Sequence, residues 1–333
     1  MTDKVEREDL KGPGVKAIPH ATLTNPLRRS ERSSDIPVAR YEQTLERGRE
    51  LQRLPYGAAG QRSIQRQHLK NRMTVWERVQ YVADGPPQVL YQNWGPNLDG
   101  ASLVTAIIQI DGRDVAIYGH DFTVRAGSMD ATNGKKLARL FELAAKRGIP
   151  LVGLNDSAGA FIPAGVGGLD GYADAFTALR KVSGVVPSIM CMFGFNAGGG
   201  SYLPRQGSFL IQPKDTFFGL TGPGVVKSVL GEDITPEELG GPKVHSQTGV
   251  TDFVVDDEVA ALHKVREILK YIPDSSVKAP QFKPTSDPGA RSTVDIDILL
   301  RKAFNSPTGF NTPVDITILI QQLCDHGDFL EVQ

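Results

Sequence analysis

The sequence predicts a mixed α/β fold, on three observations. Short apolar runs of strand length alternate with segments of helical period. Glycine-rich turns repeatedly follow the carboxyl ends of those runs, where α/β sheets place their ligand sites. Hydrophobic residues make up 40% of 333 residues, enough for an ordinary globular core.

Residues 1–40 are polar and proline-containing and read as an extended arm, either a disordered tail or a segment draped over another subunit. The main domain is expected over 41–272. Its opening, to about residue 84, reads as helical. "SLVTAIIQI" and "RDVAIYG" are two strands joined at Asp111-Gly112, a hairpin dipeptide. "NGKKLARLFELAAKRG" puts Leu137, Leu140, Phe141 and Ala144 on one helical face and stops at Gly148. "IPLVGLN" is a buried strand, followed by the small-residue stretch "DSAGAFIPAGVGGLDGY". "GYADAFTALRKVSG" is a helix and "VPSIMCMFGF" a second buried strand, with "NAGGGSY" after it. "SFLIQP", the loop and helix "TFFGLTGPGVVKSVLG", the strand "GVTDFVV" and the helix "DEVAALHKVREILKYI" complete the pattern. Residues 273–313 are rich in proline and read as a linker. Residues 314–333 read as the start of a further half.

The formal net charge of −1 gives no reason to expect nucleic acid or an anionic membrane surface as a partner. No apolar run has the length of a membrane span, and the acidic N-terminus is no signal peptide. Two cysteines, Cys191 and Cys324, and six scattered histidines make no zinc site or disulfide framework, so no metal is expected and the cytoplasm is the expected location.

The chemistry is expected at two glycine-rich turns, Asp156-Ser157-Ala158-Gly159-Ala160 and Asn196-Ala197-Gly198-Gly199-Gly200-Ser201. Neither fits a phosphate-binding fingerprint. Glycine admits close approach of a ligand, and exposed peptide N–H groups hold a developing oxyanion. Taken singly, each turn reads as tight packing; as a pair they read as a site. Side-chain catalysts are scarce. Ser157 and Ser201 lie outside GxSxG and read as turn or cap residues, Asp156 as a local hydrogen-bond acceptor, His245 as a loop filler. Lys135, Lys136 and Lys243 are placed either for phosphates or on a solvated face.

Five stretches resemble the carboxyltransferase component of biotin-dependent acyl-CoA carboxylases, of the propionyl-CoA carboxylase beta-chain type. They are "QHLKNRMTVWERV", "DFTVRAGSMDATNGKKLARLFELA", "LNDSAGAFIPAGVGGLDGY", "SGVVPSIMCMFGFNAGGGSYLP" and "FFGLTGPGVVKSVLGEDITPEELGGPKVHSQTGVTDFVV". The likeness covers roughly residues 40–333, the N-terminal half of such a component.

The resemblance implies a crotonase-type ββα superhelix. It implies that this half binds the acyl-CoA, with Ala158 and Gly159 holding the thioester enolate and Gly198 and Gly199 shaping the opposite wall. Arg125, Gly127, Ser128, Lys135, Phe161, Gly222 and Pro223 are the implied contacts to coenzyme A and the acyl group. Biotin would arrive on another subunit. The implied partners are a complementary C-terminal half, a biotin carrier protein, and a biotin carboxylase or a membrane decarboxylase subunit, in a hetero-oligomer of high order. The reaction is carboxyl transfer between carboxybiotin and the α-carbon of an acyl-CoA, or its reverse; a biotin-free crotonase-type hydratase or isomerase is the rival. Two departures stand out: Ala158-Gly159 replaces the family's Gly-Gly, and Phe161-Ile162-Pro163-Ala164 replaces its Arg-Ile-Gln-Glu.

Overall fold

The computed structural model describes residues 40–332 apart from 58, 93–97, 291 and 293. The expected arm thus falls outside the described residues but for its last. The helical opening is three helices, α1 (Arg40–Arg53), α2 (Gln61–His68) and α3 (Val75–Val82). Thr74 starts α3 with a reciprocal cap: its hydroxyl takes the Glu77 N–H at 3.3 Å and the Glu77 carboxylate takes the Thr74 N–H at 2.7 Å.

Seven strands form one sheet. In sequence order they are β1 (Gln88–Leu90), β2 (Leu103–Ile110), β3 (Arg113–His120), β4 (Leu151–Asn155), β5 (Ser188–Met192), then β7 (Phe209–Pro213) and β9 (Phe253–Val255), and they pair in that order across the sheet. β6 (Phe195–Ala197) and β8 (Phe217–Gly219) make a separate parallel pair. The β2–β3 hairpin turns at Asp111-Gly112, both at positive φ (50° and 74°), as a two-residue primed turn requires. From β3 onward every pair in the large sheet is parallel. Parallel strands need crossovers, and α4 (Ala131–Arg147) and α5 (Val166–Val182) supply the first two.

Leu137, Leu140, Phe141 and Ala144 of α4 are fully buried, as the helical period predicted, and Gly148 ends that helix in the left-handed region. They pack with Tyr172, Ala175, Leu179 and Val182 of α5 over the β-sheet residues Tyr118, Leu151 and Met190. The two helices cross at Gly134 and Gly171. A Cβ on Gly134 would stand 2.1 Å from the Gly171 carbonyl oxygen, and one on Gly171 would stand 2.3 Å from that of Asp130.

Two expectations shift. The run "VPSIMCMFGF" is not one strand: the chain breaks at Gly194 (φ 62°) and enters the small sheet as β6. A side chain at 194 would collide with the guanidinium of Arg72, which occupies that space. α5 begins five residues before the expected Gly171. Beyond β6 come α6 (Gly199–Arg205), α7 (Pro223–Leu230), α8 (Pro236–Gly240), α9 (Pro242–Gln247) and α10 (Glu258–Tyr271). The chain divides into a first unit ending at Ala279 and a second spanning Pro280–Val332. The stretch read as a linker carries the helix α11 (Val294–Phe304) in this second unit. There α12 (Ile316–Leu323) follows, capped by Asp315, which accepts the Thr317 N–H at 3.0 Å.

Candidate functional site

The first glycine-rich turn leaves the carboxyl end of β4, and its opening residues face inward. Asp156 and Ser157 are fully buried. Asp156 accepts hydrogen bonds from Arg72 and, at 2.8 Å, from Nη1 of Arg78. Arg78 in turn reaches Glu258 at the start of α10, with Nε at 3.1 Å and Nη2 at 2.7 Å. Its guanidinium also lies over the Phe193 ring, 4.3 Å from the centroid. Burial opposes the charge on Arg78, but Glu258 and Asp156 outweigh it and its pKa is raised. Burial pushes the Asp156 carboxyl upward against the pull of Arg78 and Arg72. Sequence reasoning gave Arg72, Arg78 and Glu258 no role. Both arginines sit in a quoted motif, but Glu258 lies 180 residues from Arg78 and nothing in either segment links them.

A second loop braces the same turn from the carboxyl end of β3. Arg125, Ala126 and Gly127 have φ of 51°, 53° and 66°, three left-handed residues in a row. Gly127 is obligatory, since a Cβ there would fall 2.1 Å from the Asp156 carbonyl oxygen. The Ala158 N–H donates to the Ala126 carbonyl at 3.0 Å, Met129 N–H to Gly159 at 2.9 Å, and Phe161 N–H to Met129 at 2.7 Å. The Arg125 guanidinium stacks on Phe161, 4.5 Å from its centroid, and sits 3.4 Å from both Asp99 and Asp130. Ser128 is buried and gives its hydroxyl proton to the Arg125 carbonyl at 2.7 Å.

The second turn meets the first directly. Asn196 Oδ1 accepts the Ser157 N–H at 2.9 Å, and a Cβ on Gly159 (φ 99°) would stand 2.9 Å from the Ala197 carbonyl oxygen. Ser201 is a turn residue, donating to the Asn196 carbonyl at 3.0 Å and accepting the Gly219 N–H at 3.0 Å.

The two turns expected from the sequence are therefore adjacent, together with Arg125, Gly127, Ser128 and Phe161. Gly222 and Pro223 open α7, where a Cβ at 222 would meet the Phe195 ring of β6 at 3.4 Å. Lys135 is exposed on α4. Lys136 is buried and donates to the carbonyls of Gly100, at 2.6 Å, and Leu103; burial pushes its ammonium down to about 7. It serves the fold and is not presented to a phosphate. His245 sits inside α9, 3.1 Å from Gln212 and packed on Phe218.

The donors need one correction. The two expected N–H groups are already used, Ala158 by the Ala126 carbonyl and Gly159 by Ser157 Oγ at 3.2 Å, and in the opposite wall Gly198 N–H is used by the Gly219 carbonyl at 3.1 Å. Among the described residues, no hydrogen bond within the chain engages the N–H groups of Ala160, Gly199 or Gly200. The first turn thus keeps its donor one position beyond Gly159, and the second turn offers two more.

The family described as the carboxyl transferase domain matches residues 66–333. The chain belongs to the carboxyl transferase family. It is 34% identical over 304 residues to the propionyl-CoA carboxylase beta chain of Cereibacter sphaeroides, covering 87% of this chain and 58% of that one. It is also 34% identical over 287 residues to the methylmalonyl-CoA decarboxylase subunit alpha of Veillonella parvula, covering 82% and 55%. Among solved structures, transcarboxylase 12S with methylmalonyl-coenzyme A and methylmalonic acid bound superposes with a TM-score of 0.78 at 31% identity, over 87% of this chain and 58% of that one. This carboxyl transferase chain thus spans less than two thirds of each of these relatives. The crotonase-type α/β fold implied by the resemblance is borne out.

Proposed function

We propose that this chain is the acyl-CoA-binding half of a biotin-dependent carboxyltransferase. The observation that carries the reading is the pair of abutting glycine-rich turns, with unpartnered N–H groups at Ala160, Gly199 and Gly200. They suit the oxygen of a thioester, whose charge grows as the α-carbon loses its proton. Losing one such donor typically costs about 3–4 kcal/mol of barrier. Ala158, Gly159 and Gly198 act in this reading as the frame that sets those donors, and Gly199 is itself one of them.

Few side chains around the turns are placed to act as a base. Asp156 is tied to two arginines and His245 to Gln212. That fits a reaction whose base arrives with the cofactor: biotin, carried by another chain, supplies the carboxyl group and takes up the α-proton. The same lack disfavours a hydratase, which needs poised carboxylates. This chain's own residues bind, orient and hold charge.

Coenzyme A is read as the handle of the substrate, with Arg125, Gly127, Ser128, Lys135, Gly222 and Pro223 on its side and Phe161 toward the acyl group. Phe161-Ile162-Pro163 makes that rim apolar and Ile162 is 86% exposed, which supports a larger, more apolar acyl group. The remaining wall belongs to a complementary half. Val166 and Leu169 of α5 and Val225, Val229 and Leu230 of α7 are exposed apolar residues, which suits such a partner. A biotin carrier and either a biotin carboxylase or a membrane decarboxylase subunit complete the assembly. The two named relatives run the transfer in opposite senses, one a carboxylase and one a decarboxylase. Both cysteines are free thiols, which suits the cytoplasm.

The test is carboxyl transfer to acyl-CoAs of increasing chain length by this polypeptide, alone and with a second carboxyltransferase half. Activity only with the second half is expected. Full turnover by the chain alone, or none in either case, refutes the reading.

A further inference from the structure

The two glycine-rich turns belong to different sheets. The first leaves β4 of the large sheet, and the second follows β6, which pairs with β8 in a sheet of its own. Among the described residues, no strand ladder fixes one turn against the other. The chain between the sheets breaks at Gly194, with φ of 62°. The unpartnered donors are nevertheless divided between the turns, Ala160 on the first and Gly199 and Gly200 on the second. Their joint use on one oxygen requires a fixed gap.

One side chain spans that gap. Asn196 is fully buried. Its Oδ1 accepts the Ser157 N–H at 2.9 Å, the hydrogen bond that joins the two turns among the described residues. Its Nδ2 donates to the Phe193 carbonyl at 2.9 Å, back across the break, and at 3.5 Å to the carbonyl of Asn155, the last residue of β4. An oxygen facing an N–H and a nitrogen facing two carbonyls fix the orientation of the amide. The Asn196 carbonyl is held in turn by Ser201 Oγ at 3.0 Å. Main-chain contacts limit the approach from the other side. A Cβ on Gly159 would stand 2.9 Å from the Ala197 carbonyl oxygen, and one on Gly200 would stand 3.0 Å from that of Ser157. The backbones keep the turns from closing, and Asn196 keeps them from separating.

We propose that Asn196 is a positioning residue: its amide sets the separation of the two turns, so that donors from both reach one thioester oxygen. Being buried, it acts through the Ser157 N–H and the turn that follows, not on the substrate. Donors already in place stabilise developing charge without reorganising at the moment of reaction. A loosened gap weakens the hold on the charged oxygen more than the grip on the rest of the acyl-CoA, so the loss falls on kcat and not on KM. The proposal rests on the carboxyltransferase reading and assigns the device that aligns its donors.

The experiment compares Asn196→Ala, Asn196→Ser and Asn196→Asp in the full chain. Alanine and serine are too short to reach Ser157, whereas aspartate has the parent's length and keeps an oxygen for its N–H. The infrared stretch of the thioester carbonyl is recorded for isotope-labelled propionyl-CoA bound to the chain, and carboxyl transfer is measured with the second half present. In the parent the stretch is expected to move to lower frequency on binding, because the donors polarise the carbonyl. Asn196→Ala and Asn196→Ser are expected to lose most of that shift, with kcat lowered roughly tenfold and KM for propionyl-CoA within about twofold. Asn196→Asp is expected to retain more of both the shift and kcat than either. Circular dichroism checks folding, and Asn196→Ser, which keeps a polar group near the Phe193 carbonyl, stands in if Asn196→Ala does not fold. A parent-like shift and kcat in the short variants overturns the proposal. So does an aspartate variant no better than alanine, or a failure of both short variants to fold, which would show an amide needed by the fold alone. A parent that binds propionyl-CoA without a shift, or fails to bind it, refutes the carboxyltransferase reading itself, and the proposal with it.

Discussion

Gly159 shows how little freedom a single position in the site has. Its φ of 99° is unfavourable for any L side chain, and a Cβ would press on the Ala197 carbonyl across the gap between the turns. Gly159→Val is expected to lower turnover on the order of a hundredfold or more while the chain stays folded, measured as kcat beside circular dichroism. Parent-like turnover would make the turns packing alone. His120 is a second instructive residue. It ends β3, is 1% exposed, and burial pushes its pKa down to about 4 against the pull of the Leu154 backbone. Between pH 6.5 and 4 the unfolded chain therefore binds the proton that the folded chain refuses, so this residue's contribution to stability falls as pH falls. Relative to His120→Asn, the parent is expected to lose about 3 kcal/mol across that window, read by denaturant titration at several pH values. A difference independent of pH would show that the imidazole titrates in place. At this scale the sequence pointed to two turns that the structure places side by side, and to N–H groups in the first that already have partners. Glycine content marks where a chain can turn tightly; which N–H remains unpaired depends on partners such as Ala126 and Gly219, distant in sequence.

At the scale of elements, the β-strands and α-helices were legible wherever period and punctuation agreed. The face of α4 and the Asp111-Gly112 hairpin are examples, because burial of one face and positive φ are local demands. The break at Gly194 was not legible, because its cause is Arg72, a side chain from another element. The same holds for the buried ion cluster that ties α3 and α10 to the end of β4. Arg78 is 1% exposed and serves both Asp156 and Glu258. Arg78→Met leaves Asp156 and Glu258 with Arg72 as their remaining counter-charge, and is expected to destabilise by about 3–5 kcal/mol in chemical denaturation. Glu258→Gln keeps an acceptor for the arginine and is expected to cost less. Equal losses would place the energy elsewhere than in the buried charges.

For the whole molecule, the core belongs to the first unit. Among the described residues, every buried apolar residue but Ala303 precedes the boundary at Ala279. A chain truncated after Ala279 is accordingly expected to unfold cooperatively within a few degrees of the full chain, by calorimetry. A loss of cooperativity would show that Pro280–Val332 contributes to that core. Proline content made 273–313 read as a linker, yet α11 lies inside it, because the prolines flank the helix and leave Val294–Phe304 clear of them.

The crossing of Gly134 and Gly171 sets a limit on how this fold changes over evolutionary time. Core positions such as Leu137 or Phe141 can drift, since a neighbour that shrinks makes room for one that grows. A contact of backbone with backbone has no volume to trade. Either glycine, altered alone, meets main-chain atoms nearer than 2.5 Å, so no compensating side-chain change restores the crossing. Lineages carrying this fold should keep both glycines or lose the close crossing of α4 and α5 altogether, and with it the placement of Tyr172 one residue away.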